Sequence, residues 1–279
     1  MPDYLHTKNQ YLSVGKNRLA YRMIGDNTNE FPIVLLNHLS ATMDEWDPAF
    51  INELARNNRV IVIDLSGVGA SSGKTPTSIS AMAEEVIAFI STLGFSKVNL
   101  LGLSMGGFIA QDVVRQDPDL INKLILVGTG PKGGVGIDKV TEVTFKSMAK
   151  AQLYRVDPKT YIFYPHDQKG AKEAFEVLSR MKQRPAKFAD KKISVPAFLR
   201  QLKAIHRWGK DKADSTKFIT IPTLIINGDD DIMVPTANSY EMHYKIKGSK
   251  LIIYPHAGHG SIFQYPLSSV KEINLFLHH

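Results

Sequence analysis

A serine set among glycines is where chemistry could begin. Gly102-Leu103-Ser104-Met105-Gly106 spells G-x-S-x-G directly after a hydrophobic, strand-like run ending at Leu103 and directly before the helical pattern FIAQDVVRQ. This strand–turn–helix setting is the one a nucleophile elbow requires. Such a turn holds its central residue in a strained backbone conformation, and glycines two before and two after let neighbouring backbone pass without Cβ clashes. The Ser104 hydroxyl is then lifted out at the strand end. The helix opening at Met105 turns free N–H groups and the positive end of its dipole toward a developing oxyanion.

A hydroxyl is a weak nucleophile unless a base takes its proton, and that base must be oriented by an acid. Later strand ends offer both. After PTLIING come Asp229-Asp230-Asp231 and then Val234-Pro235, and after KLIIYP come His256-Ala257-Gly258-His259-Gly260. The chemistry within reach is acyl transfer through a covalent serine intermediate. The H-x-x-H spacing of His256 and His259 could also suggest a metal, but it lies in a strand-to-loop segment without an obvious third ligand. Two phosphate-loop mimics are present. Gly128-Thr129-Gly130-Pro131-Lys132-Gly133 matches G-x-G-x-x-G, but no helix pattern opens there. Val68 to Thr75 misses a Walker A loop by valine at the first glycine, and its helix begins only near Ser78. No cofactor or metal is expected.

The elements that must position these residues recur along the chain. RLAYRMI (18–24), PIVLLN (32–37), RVIVIDL (59–65), KVNLLGL (97–103), KLILVGT (123–129), PTLIING (222–228) and KLIIYP (250–255) read as strands. Five of them are apolar on both faces, as strands between two helix layers must be. The clearest helix is SISAMAEEVIAFISTLG, with apolar residues on one face and Gly94 as its stop. Alternating strand and helix predicts a doubly wound, mostly parallel sheet whose ligand site lies at the carboxyl ends of the strands. From about Pro131 to Ile221 the rhythm breaks: no convincing strand occurs, while FKSMAKAQLY, AKEAFEVLSRM and VPAFLRQLKAIHRW look helical. This excursion reads as a lid over the strand ends.

Composition bounds the partners. The 279 residues carry a formal charge of +7, with Lys and Arg scattered rather than run together, so nucleic-acid or anionic-membrane binding is not expected. There is no cysteine, which excludes disulfides, thiolate metal sites and a Cys nucleophile. A polar amino terminus and the lack of a long apolar run lead to the expectation of a soluble, cytoplasmic protein.

Taken together, the chain from about residue 10 to 275 resembles an α/β-hydrolase, nearest the cofactor-free esterase, lactonase and haloperoxidase-like branch. The family's G-x-x-D-x-x-V-P pattern matches Gly228, Asp231, Val234 and Pro235, which favours Asp231 as the acid. Its G-x-G-H-type ending is matched in part around His259, which favours that residue as the base. Asp64, Gly67, Gly69 and Ser71 match D-x-R-G-x-G-x-S, with Ser66 in place of the arginine. The loop after the third strand departs from the pattern: where the family has His-Gly, this chain has Asn37-His38-Leu39-Ser40, with Trp46 at the usual spacing.

The resemblance implies an eight-stranded sheet, a core of residues 1–130 and 222–279, and a helical cap of residues 131–221 after the sixth strand. It also implies a catalytic set of Ser104, Asp231 and His259. The Met105 N–H would bind the oxyanion, joined by the Ser40 N–H or, as the alternative, the Leu39 N–H, while His38 is read as a structural loop residue. The expected activity is a serine hydrolase cleaving carboxylic esters or lactones of small to medium, mainly hydrophobic substrates. An acyltransferase or cofactor-free perhydrolase would use the same residues, and a non-catalytic receptor or a P-loop nucleotide hydrolase is a remoter alternative. A carboxylate nucleophile, as in a haloalkane dehalogenase, is excluded by Ser104.

Overall fold

A computed structural model describes residues 2–26, 31–213 and 215–278. Its strands are β1 Gln10–Val14, β2 Asn17–Ile24, β3 Ile33–Leu36, β4 Val60–Asp64, β5 Val98–Leu103, β6 Ile121–Val127, β7 Thr223–Gly228 and β8 Lys250–Tyr254. Its α-helices are α1 Pro48–Leu54, α2 Ile79–Thr92, α3 Met105–Gln116, α4 Val140–Tyr154, α5 Lys159–Phe163, α6 Gln168–Met181, α7 Val195–Lys210, α8 Ala237–Lys245, α9 Ser261–Gln264 and α10 Pro266–His278. The strands form one sheet in the order β1-β2-β4-β3-β5-β6-β7-β8. β2 pairs antiparallel with β1 and β4, and the remaining neighbours are parallel.

The apolar runs divide by residue parity. Val34 and Leu36 of β3, with Ile61 and Ile63 of β4, face a core shared with Val86 and Phe89 of α2 and Phe108 and Val113 of α3. Ile33, Leu35, Val60 and Val62 face the opposite core, with Phe50 and Leu54 of α1 and Val270 and Ile273 of α10. Successive side chains of a strand point to opposite faces, so a strand covered on both sides has to be apolar throughout. Seven runs read from the sequence correspond to β2–β8. β1 was not among them: QYLSV lies at the sheet edge with most of its residues exposed, so burial imposes little apolar pattern on it.

Helix boundaries follow local chemistry. Asp47 caps α1 by accepting from the Ala49 N–H at 2.9 Å, with Pro48 at the first helical position. Ser78 caps α2, and Gly94 beyond its end has φ +83°. Between β6 and β7 the described residues hold α4–α7 and no strand. Arg180 of α6 forks onto the buried Asp47 carboxylate (3.1 and 2.6 Å), Lys159 pairs with Glu45, Arg184 reaches Asp44 at 2.9 Å, and His256 lies 2.7 Å from Asp167 at the start of α6. Among the described residues no helix is long and apolar enough to cross a membrane.

Chain order reverses at β3, which lies between β4 and β5 with Leu36 opposite Ile63 on one side and Gly102 on the other. The loops leaving β3 and β5 therefore part in opposite directions and leave a crevice at the strands' carboxyl ends. The β5 turn is packed to its limit there. A Cβ on Gly106 would stand 2.2 Å from the Leu36 carbonyl oxygen, and one on Gly102 would stand 2.3 Å from the Gly106 carbonyl oxygen. Both obstacles are backbone. Gly106→Ala is accordingly expected to lower the unfolding free energy in urea by about 3 kcal/mol, because strand and helix must separate to admit one methyl group. A variant within about 1 kcal/mol of the parent would show that this approach is looser than described.

Candidate active site

Ser104 joins β5 to α3 with φ 56° and ψ −115°, a combination that few residues other than glycine adopt. The strain is held by bonds on both sides. The Ser104 N–H donates to the Val127 carbonyl at 2.8 Å, and its own carbonyl accepts from the Gly107 N–H at 2.8 Å and the Thr129 hydroxyl at 2.9 Å. The side chain is buried but lines a cavity of about 530 Å³ at the strand ends. As the first residue of α3, Met105 has an N–H beyond the reach of the helix's own bonding, and among the described residues nothing accepts it.

His259 lines the same cavity from the loop after β8. Its Nδ1 lies 2.7 Å from Asp231 Oδ2, in a pair with both side chains buried. The other carboxylate oxygen of Asp231 accepts from the Met233 and Val234 N–H groups at 2.8 and 2.9 Å, so the acid is fixed by the turn that Val234-Pro235 closes. The neighbouring aspartates go elsewhere. Asp229 is exposed and accepts from the Ala257 N–H at 3.1 Å, while Asp230 is exposed. His256 turns to Asp167, away from His259. The structure thus brings Ser104 and His259 to one cavity with Asp231 behind the imidazole.

The loop after β3 bears on the choice between the Ser40 and Leu39 amides. Asn37 donates to Asp64 Oδ1 at 2.9 Å and accepts from the Trp46 indole at 2.7 Å, tying the loop to the end of β4. Ser40 has φ 65°, and its N–H donates to Gln201 Oε1 at 2.8 Å. The amide favoured from the sequence is therefore already engaged by a buried side chain of α7. The Leu39 N–H, the alternative, has no acceptor among the described residues. Gln201 carried no motif, and its role appears only when α7 packs over the loop.

Among the large apolar residues of the 131–221 segment, Met148, Phe163 and Phe198 line the cavity. Phe175 is exposed and Trp208 stacks on Phe108 instead, with ring centroids 5.7 Å apart. Phe163 stands edge-on to both His38 (4.8 Å) and His259 (5.4 Å). The cavity is not apolar throughout. Asp44, Glu45, Asp157, Lys159, Asp190 and Lys192 also line it. They come from the loop after β3 and from the 131–221 segment, where spacing gave no sign of convergence. In the two phosphate-loop mimics, Lys74 is exposed while Thr75 is buried, donating to the Ser66 carbonyl at 2.9 Å. Gly128 packs against the His259 ring.

A family profile described as alpha/beta hydrolase fold matches residues 32–266. The chain belongs to the α/β-hydrolase family. An alpha/beta hydrolase fold protein from Chitinophaga pinensis is similar over 99% of this chain and 98% of its own, at 33% identity and a TM-score of 0.92. The "Putative carbamate hydrolase RutD" of Agrobacterium fabrum is 26% identical over 245 residues, 86% of this chain and 91% of that protein. The enol-lactonase from Burkholderia xenovorans LB400 shares the fold, with a TM-score of 0.75 at 21% identity over 97% of this chain and 100% of its own.

Within this family member the His38 side chain is electrostatically unusual. Burial, reinforced by the Lys159 ammonium, disfavours its imidazolium and moves the pKa from 6.5 down to about 3. The unfolded chain then binds a proton below pH 6.5 that the folded chain refuses until about pH 3, so stability falls as pH drops through that window. From pH 7.5 to pH 5 this one group should remove about 2 kcal/mol of unfolding free energy. Urea titrations at both pH values should show a slope reduced by that amount in His38→Gln. An unchanged slope would mean that the folded imidazole protonates freely.

Proposed function

We propose that the chain is a serine hydrolase that cleaves small to medium carboxylic esters or lactones through an acyl-enzyme. The observation that carries this reading is the buried Asp231–His259 pair, 2.7 Å apart, whose imidazole shares a cavity with the strained elbow serine. In the proposed cycle Ser104 Oγ attacks the acyl carbon while His259 Nε2 takes the hydroxyl proton. Asp231, accepting from Nδ1–H, fixes the tautomer and stabilises the imidazolium that forms. The oxyanion is held by the Met105 N–H and the Leu39 N–H, in place of the engaged Ser40 amide. His259 passes its proton to the departing alkoxide. Water then attacks the acyl carbon with His259 again as base, releasing the carboxylic acid and restoring the Ser104 hydroxyl.

In this reading residues 131–221 form a cap over a core of residues 1–130 and 222–279. Support comes from Met148, Ile162, Phe163 and Phe198, which give the cavity apolar lining, and from the ion pairs that fasten the segment to the core. That apolar lining suits an apolar acyl portion, while Asp44, Glu45, Lys159 and Asp190 of the same lining offer partners to a polar group. The carbamate named for the Agrobacterium fabrum relative is an acyl compound that the same machinery could attack. No redox group or metal enters any step of the proposed cycle.

A fluorophosphonate probe should label Ser104 in peptide mapping, and Ser104→Ala should lose both labelling and p-nitrophenyl ester cleavage. Asp231→Asn should lower kcat by a factor on the order of 10⁴, because the imidazole loses its proper tautomer. Labelling elsewhere, or hydrolysis that survives Ser104→Ala, would refute the assignment.

A further inference from the structure

Lysine and arginine are scattered along the chain, but the fold gathers four of them around part of the second phosphate-loop mimic. Lys8, Arg18, Lys187 and Lys191 line a groove of about 730 Å³, and residues 69–72 of the mimic line it with them. Lys8 precedes β1, Arg18 lies in β2, and the other two lie between α6 and α7. All four side chains are exposed, so an ion in the groove can reach them.

These cations are not neutralised by the protein itself. Among the described residues none of the four is in an ion pair. The Arg18 guanidinium lies 4.3 Å over the Tyr11 ring and the Lys187 ammonium 4.9 Å over the Phe188 ring. A ring beneath a cation restrains its position and leaves its charge in place. Asp190 is the one carboxylate lining the groove. Its side chain is only 1% exposed and is matched inside the wall, where it accepts from Arg22 and Asn9, both at 2.5 Å. The Ser72 hydroxyl accepts from the Arg18 N–H at 2.7 Å, and among the described residues nothing takes its own proton.

Like charges converging on one concavity repel each other and raise the local potential, and a multivalent anion relieves both. A diphosphate carries its charge on two linked centres and meets several cations together, whereas a carboxylate meets one or two. The groove has the volume of a small-molecule site, not the reach of a nucleic-acid track or a bilayer surface.

We propose that this groove binds a small, multiply charged phosphate compound of the diphosphate or triphosphate class through Lys8, Arg18, Lys187, Lys191 and the Ser72 hydroxyl. The site binds and does not transfer phosphate: Lys74 and Thr75 of the mimic are not among its lining, and α2 opens only at Ile79. Ala189 and Asp190 line both the groove and the catalytic cavity, so the two are neighbours, but Ser104 and His259 belong to the cavity alone. The groove therefore stands apart from the acyl-enzyme reading.

Calorimetric titration with inorganic pyrophosphate at low salt tests the site. Pyrophosphate should bind about tenfold more tightly than orthophosphate, and should raise the thermal midpoint of the folded protein. Lys187→Gln combined with Lys191→Gln should weaken pyrophosphate binding about tenfold, and Arg18→Gln alone about fivefold. The same charge loss at the opposite sheet edge, Lys247→Gln with Lys250→Gln, should leave the affinity within about twofold. Ser104→Ala should bind pyrophosphate as the parent does. The inference is overturned by absence of pyrophosphate binding, or by an equal loss in the Lys247 and Lys250 variant. Binding confined to oligonucleotides or to vesicles bearing phosphorylated inositol lipids also overturns it. Should one groove variant not fold, the other still decides the matter. Failure of Ser104 to be labelled would refute the acyl-enzyme reading and leave the titration unchanged.

Discussion

The backbone of Ser104 is held where an L-residue does not rest freely, at φ 56° and ψ −115°, a region that costs about 1–3 kcal/mol. That cost is tolerated because the surroundings leave no alternative. The Val127 carbonyl takes the Ser104 N–H, Thr129 and Gly107 bind its carbonyl, and glycines at 102 and 106 allow strand and helix to touch through bare backbone. From this one turn follow the placing of the serine on the cavity wall at the sheet's end and the start of α3 at Met105. The crevice between the β3 and β5 loops follows from it too. If the turn relaxed, Asp231 and His259 would still meet, but with nothing in line for them to act upon.

The second arm of the site is built from the opposite resource, a carboxylate with its freedom removed. Asp231 gives one oxygen to two backbone amides and the other to His259. The wall of the cavity is likewise fixed by buried charge. The wholly buried Arg22 reaches Asp44 at 2.6 Å and Asp190 at 2.5 Å, and Arg184 adds a contact to Asp44 and bonds to the carbonyls of Tyr4, Leu5 and Thr7. Removing one member of such a cluster would leave an uncompensated charge out of water, so it pins β2, the loop after β3 and the 184–190 stretch to one another. Burial raises the Asp190 pKa against the pull of Arg22, which marks how dry this wall is.

Most of the fold was legible because double burial writes itself into composition. A strand covered on both faces must be largely apolar, and β3, β4, β5 and β7 are buried at every position and apolar at most of them. β1 escaped notice for the converse reason: at the sheet edge only its pairing with β2 defines it. The elbow and the aspartate and histidine segments were readable because each chemistry needs a short run of fixed residue types. The engagement of the Ser40 amide was not, since its acceptor is Gln201, a residue 161 positions away whose side chain arrives through helix packing. The polar lining from Lys159, Asp190 and Lys192 was hidden likewise, because it depends on how the helical segment folds back over the strand ends.

The arrangement comes down to whether one strained turn aims a hydroxyl between two backbone amides and an imidazole. A crystal structure of the protein inactivated by a small alkyl phosphonate would measure this directly. The phosphorus should be bonded to Ser104 Oγ, with its phosphoryl oxygen within hydrogen-bond distance of the Met105 and Leu39 N–H groups and His259 Nε2 facing the serine oxygen. Phosphorus on another residue, or a phosphoryl oxygen turned away from both amides, would contradict the account.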